Sequence, residues 1–117
     1  MSVIMTLRAN GDPNELERRA AGNPDAIRAI SDRAKEHGLI AHRFYGSDDG
    51  QIMIVDEWPD PKSFEAFFSE MQSQIEPLMR DIGVTEPPEV TFWRKLESHD
   101  EVGWDAGAPA PGGTVRA

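Results

Sequence analysis

The chain has 117 residues, 38% hydrophobic and 28% charged, the composition of one ordinary folded domain with room for a single core. Twelve basic against 21 acidic residues leave a net charge of −9, and no Lys/Arg cluster offsets it, which argues against a nucleic-acid partner. No cysteine is present, so disulfides, thiolate metal sites and cysteine nucleophiles are excluded, and no apolar run reaches the ~18 residues of a membrane span.

Residues 2–9 alternate, with Val3, Met5 and Leu7 on one face and Ile4, Thr6 and Arg8 on the other, which predicts a strand. Met1–Arg8 has neither a basic leader region nor a small-residue cleavage site, so a cytoplasmic location is expected. Asp12-Pro13 opens a short helix that Gly22 stops, and Asn23-Pro24-Asp25 restarts it with a cap, a proline at the first position and an acid in the first turn. Ile27, Ile30 and Ala34 form its buried stripe, and Gly38 after His37 ends it. Leu39–Tyr45 and Gln51–Trp58 are strands joined by Gly46-Ser-Asp-Asp-Gly50, a hairpin loop by composition.

Asp60 then caps a helix with Pro61 at its first position. Phe64, Phe67, Phe68 and Met71 fall at i, i+3, i+4, i+7, and Ile75, Leu78, Met79 and Ile82 repeat that spacing. Pro77 is foreign to a helix interior, and Ser73 with Glu76 makes a capping-box pattern, so a break or sharp bend is predicted near Ser73. Gly83 ends the second half, and Glu89–Leu96 is the last strand. Nine of the eleven residues from Gly103 to Gly113 are Gly, Ala or Pro, so residues 98–117 are expected to be a flexible tail beyond a domain of residues 1–97. Trp104 offers an alternative there, as the anchor of a flap.

Strand, helix, strand, strand, helix, strand is the ferredoxin-like βαββαβ order, an α+β two-layer sandwich with an antiparallel four-stranded sheet and its helices on one face. If the odd residues of the first strand face the helices, the other face carries Ile4, Ile52, Ile54, Trp58 and Trp93. Such a patch is too large to leave in water, so a homodimer covering it is predicted.

An apolar strand, Ile52–Val55, runs into Asp56-Glu57-Trp58 and then a helix with Phe64 and Phe67. Through that motif and the element order, residues 2–96 resemble the dimeric α/β-barrel superfamily, close to its antibiotic-biosynthesis-monooxygenase-like group. The resemblance implies two sheets meeting across a dimer, with a small-molecule pocket between each sheet and its helices or loops. Some members oxidise phenolic or anthrone-type substrates with dioxygen and no cofactor. Others degrade haem, isomerise lactones or have no known activity. Haem is disfavoured here, because such members carry an iron-ligating histidine on the helix after the tryptophan and Pro61–Gly83 has none. Their first-strand asparagine is also absent if Asn10 lies past the strand.

His42 is the natural proton carrier at neutral pH. A five-residue loop at 46–50 sets His42 across from Ile54, on a face shared with Phe44, Asp56 and Trp58, with Asp56 as a diagonal neighbour. Thr6 and Arg8 are placed on that same face. His42 as base, Asp56 as its orienter and Arg8 as the cation for a developing oxyanion would be the catalytic set. Thr6, Phe44, Ile54, Trp58 and Trp93 would line the ligand site. A four-residue loop instead flips the second strand and replaces His42 with Arg43 and Tyr45. Plainer roles are also open: His42 as a structural or dimer-contact histidine, Asp56 as a salt-bridge partner of Arg8, and both tryptophans as core or interface residues. Three scattered histidines give no metal-site spacing, and no glycine-rich phosphate loop or serine-nucleophile motif is present, so neither metal nor cofactor is expected. Two functions follow: a cofactor-independent monooxygenase-like or isomerase-like enzyme for a small aromatic or polyketide-type molecule, or a non-catalytic ligand-binding or accessory dimer.

Overall fold

The computed structural model describes residues 1–103. Its elements run β1 (Val3–Asn10), α1 (Pro13–Gly22), α2 (Pro24–Glu36), β2 (Ala41–Gly46), β3 (Gln51–Trp58), α3 (Pro61–Asp81) and β4 (Glu89–Trp93). The four strands form one antiparallel sheet in the order β2-β3-β1-β4. This is the ferredoxin-like arrangement read from the sequence. Residues 98–103 carry no helix or strand. Trp104 and the rest of the Gly/Ala/Pro-rich stretch lie outside the described residues.

Local signals act where the sequence places them. Asp12 accepts the backbone N–H groups of Asn14 at 3.0 Å and Glu15 at 3.2 Å, and Asp60 accepts that of Ser63 at 2.8 Å. The Ser63 backbone N–H holds the Asp60 carboxyl below its ordinary range. Asn23 occupies the cap position of α2, but its side chain makes no capping bond. Gly38, at φ +103, takes the left-handed step that ends α2.

The predicted break near Ser73 does not occur: α3 runs through Pro77 to Asp81. Phe64, Phe67, Met71 and Ile75 form one continuous buried stripe, and burial along it outweighs the proline penalty of about 3 kcal/mol. Ser73 and Pro77 are both exposed, so water can satisfy the carbonyl that the missing N–H leaves open. Gln72 also bridges that turn to Glu76 at 2.8 Å.

The pairing of β1 with β3 corrects the expected division of the sheet. Met5 pairs with Asp56, Leu7 with Ile54 and Ala9 with Ile52, so odd residues of β1 share a face with even residues of β3. Ile52, Ile54 and Trp58 therefore lie on the helix side, not on the open face. Both strands turn their more apolar alternation inward, where Met5, Leu7, Ile54 and Trp58 pack with Phe64, Phe67, Met71 and Ile75. A smaller cluster of Leu16, Ile52 and Ile82 ties α1 to the end of α3. The open face keeps Ile4 and Trp93 from the expected set and adds Arg43, Tyr45, Met53 and Val55.

Candidate functional site

On β3 the inward positions read Ile52, Ile54, Asp56, Trp58, so a carboxylate interrupts an apolar row. A buried carboxylate needs partners. Asp56 is 5% exposed, and both of its oxygens are engaged. Oδ1 lies 2.7 Å from Nδ1 of His42, and Oδ2 accepts the indole N–H of Trp58 at 3.0 Å. His42 stands directly opposite Asp56 in the β2–β3 ladder. That register is two residues from the expected one: His42 meets Asp56 instead of Ile54, and Phe44 meets Ile54. The shift is even, so the face is unchanged and the alternative with Arg43 and Tyr45 facing the helices is excluded.

A carboxylate can only accept, so with Asp56 in that form the contact needs a hydrogen on Nδ1 of His42 and leaves Nε2 for other chemistry. The imidazole packs edge-on to Phe44, with ring centres 5.1 Å apart, and its side chain is 27% exposed. His42 and Asp56 border a cavity of about 80 Å³ between the sheet, α2 and α3. Its walls include Leu7, Ile30, Phe44, Ile54, Phe67 and Met79. Ser31 is the other polar residue of the lining, and its hydroxyl donates back to the Ile27 carbonyl at 3.2 Å.

The remaining expected site residues are not gathered there. Thr6 and Arg8 point to the open face, where Thr6 accepts the Trp93 indole N–H at 2.9 Å and Arg8 pairs with Glu89 at 2.6 Å. Arg8 therefore neither bridges to Asp56 nor supplies a cation to the cavity. Trp93 shares that open face and is 54% exposed. Trp58 lies on the cavity's side of the sheet but is absent from its lining. It packs against Phe64 and Phe67, at ring-centre distances of 5.7 and 5.6 Å. Of the expected ligand-binding residues, Phe44 and Ile54 line the cavity. The walls from α2 and α3 were visible in the sequence only as buried helix stripes.

The C-terminal end of α2 is clasped to α3. Arg33 pairs with Glu70 at 2.6 Å and His37 meets the same carboxylate at 2.7 Å. The Arg33 guanidinium first, then His37, lowers the Glu70 pKa to about 2. Among the described residues no group of three or more His, Asp or Glu side chains is arranged to hold a metal ion, and no helix is long and apolar enough to cross a membrane. Asn10 is the last residue of β1, not past it, yet α3 contains no histidine to ligate a haem iron.

The chain matches no known family profile and no curated protein. Solved structures do resemble it. A monooxygenase from Streptomyces coelicolor, solved with the ligand nanaomycin D, gives a TM-score of 0.62 at 13% identity over 83% of this chain and 89% of that one. What these likenesses show is the ferredoxin-like fold. A cofactor-independent oxygenase from Streptomyces nogalater gives 0.59 at 15% identity, over 86% of this chain and 98% of its own. A dimeric ferredoxin-like protein from an uncultured marine organism gives 0.59 at 13% identity, over 83% and 90%.

Proposed function

We propose that this chain is a cofactor-independent monooxygenase-like enzyme for a small aromatic or polyketide-type substrate bearing an acidic C–H or O–H group. The observation that carries the reading is a histidine anchored through Nδ1 to a buried carboxylate at the wall of an apolar cavity. His42 is the catalytic base. Its Nε2 takes a proton from the substrate, and Asp56 stabilises the imidazolium that forms. The carbanion passes its electrons to dioxygen and forms a C–O bond. The same proton returns to the peroxide oxygen. Loss of the second C–H proton from that carbon then breaks the O–O bond, the departing hydroxide takes up that proton as water, and a carbonyl remains. One methylene and one dioxygen thus become one carbonyl and one water, with the substrate oxidised and dioxygen reduced. Apolar walls favour a neutral planar substrate over a carboxylate, since among the described residues no lysine or arginine lines the cavity.

The small cavity volume favours the second reading, a non-catalytic ligand-binding or accessory dimer whose interior is largely filled by side chains. About 80 Å³ is less than the roughly 150 Å³ that admits benzene in an engineered apolar cavity. Substrate admission therefore requires a wall to move, and α2 is the loosest one, with Ala34 as its single buried residue. Oxygen uptake with anthrone and naphthoquinol probes separates the two readings. His42→Ala is expected to lower the rate about 10²–10⁴-fold while the fold is kept. Probe binding without any oxygen uptake in the native chain would leave the ligand-binding reading.

We also infer a homodimer through the open sheet face, supported by exposed Ile4, Tyr45 and Trp93 on it and by the dimeric neighbour. Sedimentation should give twice the 13.0 kDa of one chain. A monomer at micromolar concentration would overturn it.

A further inference from the structure

Trp58 is fully buried and contributes nothing to the cavity lining, yet its indole N–H is committed to the one buried carboxylate of the chain's described residues. We infer that Trp58 is a positioning residue: by holding Oδ2 of Asp56 it fixes the carboxylate that keeps His42 in its Nδ1–H form, with Nε2 free toward substrate. The catalytic consequence rests on His42 being the base; the positioning does not.

A carboxyl group turns readily about its last side-chain torsion, which is broad and two-fold. One hydrogen bond tethers one oxygen and leaves that rotation loose. In Asp56 the two oxygens are held from opposite partners, His42 across the ladder and Trp58 two residues along the same strand. Among the described residues no lysine or arginine forms an ion pair with Asp56, and Arg8 is on the other face with Glu89. His42 changes its charge and hydrogen-bonding pattern when it accepts a proton, whereas the indole N–H is a permanent neutral donor. The Nδ1–H of His42 donates in both states, but its charge changes through a catalytic cycle, and Trp58 is the tether whose charge does not. Phe64 and Phe67 fix the indole in turn, at ring-centre distances of 5.7 and 5.6 Å. Trp58 itself does not line the cavity, so its hydrogen bond reaches substrate through Asp56.

The decisive measurement needs no substrate. Nitrogen-15 NMR of the imidazole in the free, full-length protein reports which nitrogen carries the hydrogen. The native chain is expected to show His42 protonated on Nδ1 with Nε2 bare when neutral. Trp58→Phe, which keeps an aromatic ring and removes the donor, should give a mixture of both tautomers. Asp56→Asn should move the hydrogen largely to Nε2. In oxygen uptake, Trp58→Phe should lower kcat about tenfold or more with a much smaller change in KM. If Trp58→Phe fails to fold, benzothienylalanine at position 58 keeps the indole shape without the N–H and supports the same readings. An unchanged His42 tautomer in the folded variant overturns the inference, whatever happens to melting temperature. A shifted tautomer in a chain that never consumes oxygen would uphold the positioning and end the oxygenase reading. Conversely, oxygen uptake with an unmoved tautomer and unchanged kcat would end the positioning and keep the enzyme.

Discussion

The two faces of the sheet each carry a tryptophan whose indole N–H meets an oxygen, and the two contacts are almost equal in length. Trp58 donates to Asp56 at 3.0 Å, and Trp93 donates to Thr6 at 2.9 Å. Their surroundings differ completely: Trp58 is 0% exposed and Trp93 54%. On the helix side, water cannot replace a lost partner, so the hydrogen bond constrains the fold and the site together. On the open side, water competes for both groups unless something covers them. Geometry alone does not rank the two contacts. Burial does, and it separates the face with the buried carboxylate, where the candidate chemistry lies, from the face with Arg8 and Glu89, which is the proposed contact surface.

The largest expected effect comes from deleting the buried acceptor. Asp56→Ala strands the Trp58 N–H and the His42 Nδ1–H together and should cost on the order of 3 kcal/mol in denaturant unfolding. Its counterpart on the open face, Thr6→Val, should change stability by no more than about 0.5 kcal/mol, because the Trp93 N–H can turn to water. Equal losses from both variants would break the contrast between the faces. Next in size is the dimer: Trp93→Glu puts a charge into the apolar part of the open face and should weaken self-association by about 2 kcal/mol, read by sedimentation across a concentration series. No change there would mean that this face is not the contact surface.

The smallest effect sharpens the comparison from the exposed rim. Glu70, held by Arg33 and His37, has its folded pKa depressed to about 2, below the ordinary 4.5. A depressed carboxylate adds stability that is full above the unfolded value and is lost as pH falls through the folded one. The melting-temperature gap between the native chain and Glu70→Gln should therefore be complete at pH 6 and vanish toward pH 2. Salt should narrow it, because the clasp is exposed. The same variant frees the end of α2 and is expected to speed probe binding, which stopped-flow tryptophan fluorescence can follow. A pH-independent gap would show that Glu70 acts through packing and not through its charge.

What the sequence determined by itself is local and periodic. Asp12 and Asp60 read as caps because a carboxylate beside free N–H groups has one favourable use, and Gly38 read as a stop because only glycine enters its left-handed step without strain. His42 and Asp56 could be put on one face because a single hairpin joins them, and an even register shift preserves the face. Pro77 misled, since a proline rule for helix interiors takes no account of a stripe of phenylalanine, methionine and isoleucine running straight past it. The pairing of β1 with β3 was decided only in the tertiary structure. More than forty residues separate Arg8 from its partner Met53, two helices and a strand intervene, and no turn geometry links their alternations. Packing chose the parity that buried Met5, Leu7, Ile54 and Trp58 together. In doing so it sent Arg8, Thr6 and Trp93 to the open face.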